Sequence, residues 1–256
     1  IEEQAIPSRR GRVPMSLQLN EASYPVLGLN IRPQHCQLAY AGLSGRIQKT
    51  WTFETPSSPR QLVKTVAQAI QRARTDLNFR GNGTFRTLGI AVPGHVDTAN
   101  GTILWTPTHE QFSNFPIAEE LESYSGLPAL ADNDCNAGAL SELWLATEDR
   151  RDRSTDVVFL NVSDFGVGAG TVLNGQIYPG HDSRLAGEVG HMVVEPGGLP
   201  CGCGRRGCWE LYTSNEATWK RYDPQTPFTV ERFEGMLAAA QQGKRRALNA
   251  IEKTAR

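Results

Sequence analysis

Three cysteines lie within eight residues, Cys201-Gly202-Cys203-Gly204-Arg205-Arg206-Gly207-Cys208, and His191 stands ten residues before the first of them. No other stretch of the chain limits its fold so narrowly. Thiols crowded this closely form disulfides, oxidise, or share a metal. A Cys3His set suits Zn2+, and four protein ligands close its coordination sphere. The spacing therefore predicts one structural zinc ion per chain, not a catalytic one. Gly202, Gly204 and Gly207 are expected to let the loop turn tightly around it. Cys36 and Cys135 stand alone. A metal cluster plus two free thiols is no disulfide framework and favours a reducing compartment, the cytoplasm.

The remainder of the chain is ordinary by composition. Its 256 residues, 39% hydrophobic and 21% charged, suffice for one large domain or two lobes sharing a cleft. A formal net charge of -1 gives the bulk of the chain no bias toward nucleic acid or membrane. No apolar run approaches the length of a membrane span. The basic, Gly/Pro-flanked stretch Ser8-Arg9-Arg10-Gly11-Arg12 reads as part of a linker, which we extend over residues 1–23.

Hydrophobic periodicity places strands at 26–31, 37–41 and 47–53, then a helix with Leu62, Val66, Ile70, Ala73 and Leu77 on one face. Leu88–Val92 reads as a short buried strand ended by Pro93-Gly94. A helix over Ile117–Tyr124 stops near Gly126, a strand covers Pro128–Ala131, and Asn136–Leu145 is helical again. The pattern then restarts. Val157-Val158-Phe159-Leu160-Asn161-Val162 matches Val26-Leu27-Gly28-Leu29-Asn30-Ile31, and a glycine turn follows each copy at Gly175 and Gly45. This is the mark of an internal duplication: a first α/β lobe over 24–146 and a second, with the cysteine loop, over 147–256, each opening with a β-meander. Such a fold is expected to bind its ligand between the lobes, at the carboxyl ends of strands.

Glu188-Val189-Gly190-His191, followed by the C-x-C-G-x-x-G-C-x-E run ending at Glu210, resembles the signature of the ROK family of bacterial sugar kinases and sugar-responsive repressors. Ala91-Val92-Pro93-Gly94, Asn133-Asp134-Cys135-Asn136 and Gly166-Val167-Gly168-Ala169-Gly170 extend the likeness, which runs from about Gly11 to at least Ser214. The resemblance implies a two-lobed actin/hexokinase-like fold of the duplicated ribonuclease H-like type. It also implies a sugar contacted by Asn133, Asp134, Glu188, His191 and Glu210, with Gly94 letting the backbone approach. Carboxylates, an amide and an imidazole suit hydroxyl groups that both donate and accept. His191 would then divide its ring nitrogens between zinc and sugar. Read by itself, Asn133-Asp134 also fits the cap of a helix.

In the family's kinases the aspartate matching Asp134 is the general base, while phosphoryl transfer rests on positioning and neutralising the phosphates. Two glycine-rich loops serve that purpose, and both depart from the pattern here. Asn30-Ile31-Arg32-Pro33-Gln34 stands where D-I-G-G-T is expected, with bulk at Arg32 and no N–H at Pro33. Asp164 and Phe165 stand where the second loop, G-T-G-x-G, is small and uncharged.

The reading that results is a sugar-sensing effector domain of a ROK-type transcriptional regulator, most simply a repressor, without kinase activity. An active ATP-dependent sugar kinase is the alternative. As in the family's regulators, operator DNA would be bound through an N-terminal helix-turn-helix domain outside this chain, by a homodimer or homotetramer. Against the family's usual length, the chain is expected to be part of a longer protein, with its second lobe incomplete as it stands.

Overall fold

The computed structural model describes residues 2–5, 15–18, 20, 23–78, 85–107, 109–145, 155–180 and 186–255. They form two compact units, Ile1–Ser154 and Thr155–Arg256. The boundary expected after residue 146 falls just past the last helix of the first unit. The basic stretch 8–12 lies outside the described residues. Within the segment read as a linker, however, β1 (Glu2–Ala5) pairs antiparallel with β2 (Met15–Gln18), a ladder that the sequence reading did not foresee.

The first unit is built on β3 (Val26–Ile31), β4 (His35–Ala41) and β5 (Ile47–Glu54), an antiparallel meander. Period-2 alternation drives it: Leu27, Leu29 and Ile31 on β3 and Cys36, Leu38 and Tyr40 on β4 are all buried. Helix α1 (Pro59–Asp76) follows. Ser58 caps it by accepting from the Gln61 N–H at 3.3 Å, and Leu62, Val63, Val66, Ile70 and Ala73 form its buried stripe. Trp51 Nε1 donates to Asp76 Oδ2 at 2.8 Å and joins the end of α1 to β5.

The chain continues into β6 (Leu88–Val92) and a hairpin of β7 (His95–Asp97) and β8 (Thr102–Trp105). Helix α2 (Ile117–Ser125) ends on Gly126 in the left-handed region, as expected, and leads to β9 (Ala129–Asn133) and α3 (Asp134–Leu145). The sheet order is β5-β4-β3-β6-β9, with β3, β6 and β9 mutually parallel. Their carboxyl ends form one edge, carrying Arg32, Gly94 and Asp134 just beyond the three strands.

The second unit repeats the meander as β10 (Val157–Val162), β11 (Val167–Leu173) and β12 (Gln176–Ile177). Gly45 and Gly175, the two turn glycines, have φ of 78° and 76°. The cysteine loop follows, then α4 (Glu210–Thr213), α5 (Asn215–Tyr222), α6 (Val230–Gln241) and α7 (Arg245–Thr254). Trp219, Phe233, Met236, Ala240, Ala247 and Ala250 give the last three helices a core of their own. Among the described residues no helix is long and apolar enough to cross a membrane.

Candidate metal centre and candidate sugar site

The cysteine loop is closed by its own backbone. The Cys201 N–H donates to the Arg205 carbonyl at 2.9 Å and the Gly204 N–H to the Cys201 carbonyl at 3.0 Å. Val193 bridges Cys208, and Pro200 bridges Arg206. Two glycines are obligatory. Gly204 has φ of 85°, and at Gly207, with φ of 78°, a Cβ would collide with the Glu195 carbonyl. Gly202 is in neither position, so the expectation that all three glycines shape the loop holds for two of them.

His191 and the three cysteines each offer a ligand atom, and these atoms all lie within 4.8 Å of one another. Tetrahedral zinc, with bonds of about 2.0–2.3 Å, needs ligand–ligand edges of roughly 3.3–3.8 Å. Cys203 Sγ lies 3.6 Å from Cys208 Sγ, and Cys201 Sγ lies 3.6 Å from His191 Nδ1. The residues therefore fit the ion. Burial pushes the Cys201 thiol up to about 12 and raises Cys208, while the Arg205 backbone N–H leads the contacts that lower Cys203. Metal binding would have to displace protons from the two resisting thiols.

Two carboxylates flank the imidazole. Glu188 Oε2 is 3.6 Å from His191 Nε2, and Glu210 Oε1 is 3.3 Å from Nδ1. The Cys201 thiol also donates to Glu210 Oε1 at 3.2 Å. Nδ1 thus lies beside Cys201 Sγ and Glu210, and Nε2 beside Glu188. Gly190 allows this close packing, because a Cβ there would collide with the Val167 carbonyl. Glu188, His191 and Glu210 are therefore brought together with the cysteine cluster in the second unit.

Gly94, Asn133 and Asp134 are brought together in the first unit. Gly94 has φ of 112°, and a Cβ there would collide with the Trp105 carbonyl. Asn133 caps a helix, as its local reading allowed, and makes a second contact that the sequence did not suggest. Its Oδ1 accepts from the N–H groups of Cys135 and Asn136 at 2.8 and 3.2 Å, capping α3, and its Nδ2 donates to the Gly94 carbonyl at 2.9 Å. Asp132, which the sequence reading passed over, accepts from the Asn133 N–H at 2.6 Å and from Asn136 Nδ2 at 2.9 Å. Its signal was a carboxylate at the end of a strand that runs into a helix. Burial pushes the Asp134 carboxyl above its ordinary range, opposed by hydrogen bonds from Cys135 and by the charge of Arg32.

The two loops that depart from the kinase pattern are both tied down. After β3 the Arg32 N–H donates to the His35 carbonyl at 3.2 Å, closing a tight turn. Thr55 donates its hydroxyl to the Arg32 carbonyl at 2.6 Å and its N–H to the Gln34 carbonyl at 3.1 Å. After β10 the Asp164 carboxylate accepts from Asn215 Nδ2 at 2.9 Å, and the Asp164 carbonyl accepts from the Glu216 N–H at 2.9 Å. The Phe165 ring meets Phe228 edge-on at 5.5 Å, and Phe228 in turn packs on Phe233.

Comparison with known proteins assigns this architecture to a class. Residues 26–256 match the ROK family model, and the chain belongs to that family. It is 31% identical over 194 residues to a glucokinase of Streptomyces coelicolor, covering 76% of this chain and 57% of that protein. It is 25% identical over 268 residues to the xylose repressor of Caldicellulosiruptor bescii, covering 97% and 64%. The crystal structure of a ROK family transcriptional regulator, a homologue of the E. coli MLC protein, superposes with a TM-score of 0.75 at 23% identity, covering 96% of this chain and 62% of that one. The α/β fold is thus that of the ROK and hexokinase-like proteins. The chain spans little more than half the length of the glucokinase, and the family contains kinases and repressors alike.

Proposed function

We propose that this chain is the sugar-sensing part of a ROK-type transcriptional regulator, most simply a repressor, and that it binds a sugar or sugar derivative without phosphorylating it. The observation that carries this reading is the loop after β10. A loop that holds phosphate must offer free backbone N–H groups and no negative charge. This one presents an aspartate hydrogen-bonded to Asn215 and a phenylalanine packed on Phe228. The side chains suited to sugar hydroxyls remain: Asn133, Asp134, Glu188, His191 and Glu210, with Gly94 at the backbone approach. Zinc held by His191, Cys201, Cys203 and Cys208 would fix the imidazole and its two carboxylates in place. Its charge would also hold the thiols ionised.

In the complete protein, sugar binding would favour one conformer and so change how a helix-turn-helix domain meets operator DNA in a cytoplasmic homodimer or homotetramer. Calorimetry with hexoses, pentoses, amino sugars and their phosphates tests the reading. Saturable binding of one of them is the expected result, and no binding by any would sink it. One observation favours kinase activity instead: Asp134, raised by burial, has the tuning of a general base.

A further inference from the structure

The sugar reading leaves one side chain on the ligand edge unused. Arg32 directly follows β3 at its carboxyl end. Its main chain is fixed on both sides, by the His35 carbonyl and the Thr55 hydroxyl. Its guanidinium, by contrast, is exposed and makes no hydrogen bond or ion pair among the described residues. β3, β6 and β9 are adjacent and parallel, so Arg32, Gly94 and Asp134 leave the sheet on one edge. Neighbouring strands lie about 4.8 Å apart, which puts roughly 10 Å between the outer two. A long arginine side chain covers much of that distance, and Asp134 senses its charge.

A guanidinium is planar, permanently charged, and matched to the paired oxygens of phosphate or carboxylate. A neutral sugar has no group that requires one. Building on the sugar-binding reading above, we infer that the ligand carries an anionic substituent, a phosphate ester or a carboxylate, and that Arg32 is the residue that reads it. Asp134 accepts a hydrogen bond from a hydroxyl of the same ligand, and Arg32 neutralises the anion that would otherwise face that carboxylate. A phosphoryl-transfer site must neutralise comparable charge. Here the cation is part of the protein and stays in place whether or not a nucleotide is present.

The test is calorimetry on the zinc-loaded chain with glucose, mannose and xylose, each against its terminal phosphate ester, and with glucuronate and inorganic phosphate alone. At least one anionic sugar should bind about tenfold or more tighter than its neutral parent, as a charge-assisted contact requires. Arg32→Ala should abolish that ratio and Arg32→Lys should keep part of it, with zinc content and thermal midpoint confirming that both variants fold. The phosphate and glucuronate arms distinguish ester from carboxylate. A neutral sugar binding as tightly as its anionic forms, or Arg32→Ala weakening both equally, would overturn the inference and leave sugar sensing intact. Inorganic phosphate matching the sugar phosphates would also overturn it. Failure of every sugar would remove the reading on which it rests.

Discussion

The two meanders begin from similar six-residue strands, identical at three positions, and end in different surroundings. β3 is paired on both edges, by β4 and β6, and buries Leu27, Leu29 and Ile31. β10 pairs with β11 alone among the described residues, and its matching side chains Val158, Leu160 and Val162 are exposed. Leu29 is 1% exposed and its counterpart Leu160 51%. Local pattern fixes the strand, the turn glycine and the antiparallel register in both copies. Burial depends on what packs on the sheet and what extends it, and among the described residues the first copy has α1 on its face and two parallel strands at its edge. The second unit relies more on a helical core and on the cysteine loop.

That contrast can be broken in four ways. The largest effect is expected from the metal loop. Cys208→Ser should abolish stoichiometric zinc, and hydrogen exchange should show protection lost across 191–208 while β3 and β6 stay protected. Sugar affinity should fall more than about tenfold with it, since the imidazole and its carboxylates would lose their support. Protection lost equally in β3 would contradict the division of labour.

Next come the paired leucines. Leu29→Ala should cost about 2–5 kcal/mol in denaturant unfolding, as buried leucines do. Leu160→Ala should cost less than about 1 kcal/mol, as for an exposed site. Equal costs would show that β10 is covered after all.

A smaller effect is expected where the loop after β10 is tied to the helices. The double variant Asp164→Gly, Phe165→Thr loses one side-chain hydrogen bond and one aromatic contact, about 1–2 kcal/mol together. Thermal unfolding should show the loss, and an unchanged midpoint would mean these contacts hold nothing.

The smallest effect concerns Asp134, whose pKa is raised in the folded chain. Above the ordinary value of 3.8 the native state keeps a proton longer than the unfolded chain does. Stability therefore falls as pH rises through that window, and the full cost remains at neutral pH. Asp134→Asn removes the cost. The thermal midpoint should rise modestly at neutral pH and converge with the parent at acid pH, while sugar binding is lost. A midpoint difference independent of pH would reject burial as the cause of the shift.

What could be read in advance follows the range of the interactions. The cluster of His191 with three cysteines needed only chain spacing, and α1 and β6 needed only periodicity, so all were legible. β7 and β8, three and four residues long, are too short to carry a period. Asn133 was legible as a helix cap, which is local. Its tether to Gly94 spans 39 positions and required the β6–β9 pairing to be known. Arg32 was read as an obstacle to phosphate, and its place on the same edge as Asp134 appeared only with the strand order.

The central claim is binding without phosphoryl transfer, and turnover measures it most directly. A sugar shown by calorimetry to saturate the zinc-loaded protein should be incubated with Mg-ATP and ADP release followed by a coupled assay. The account predicts release no faster than without sugar. Sugar-dependent release at an ordinary enzymatic rate, about 1 per second or faster, would contradict it.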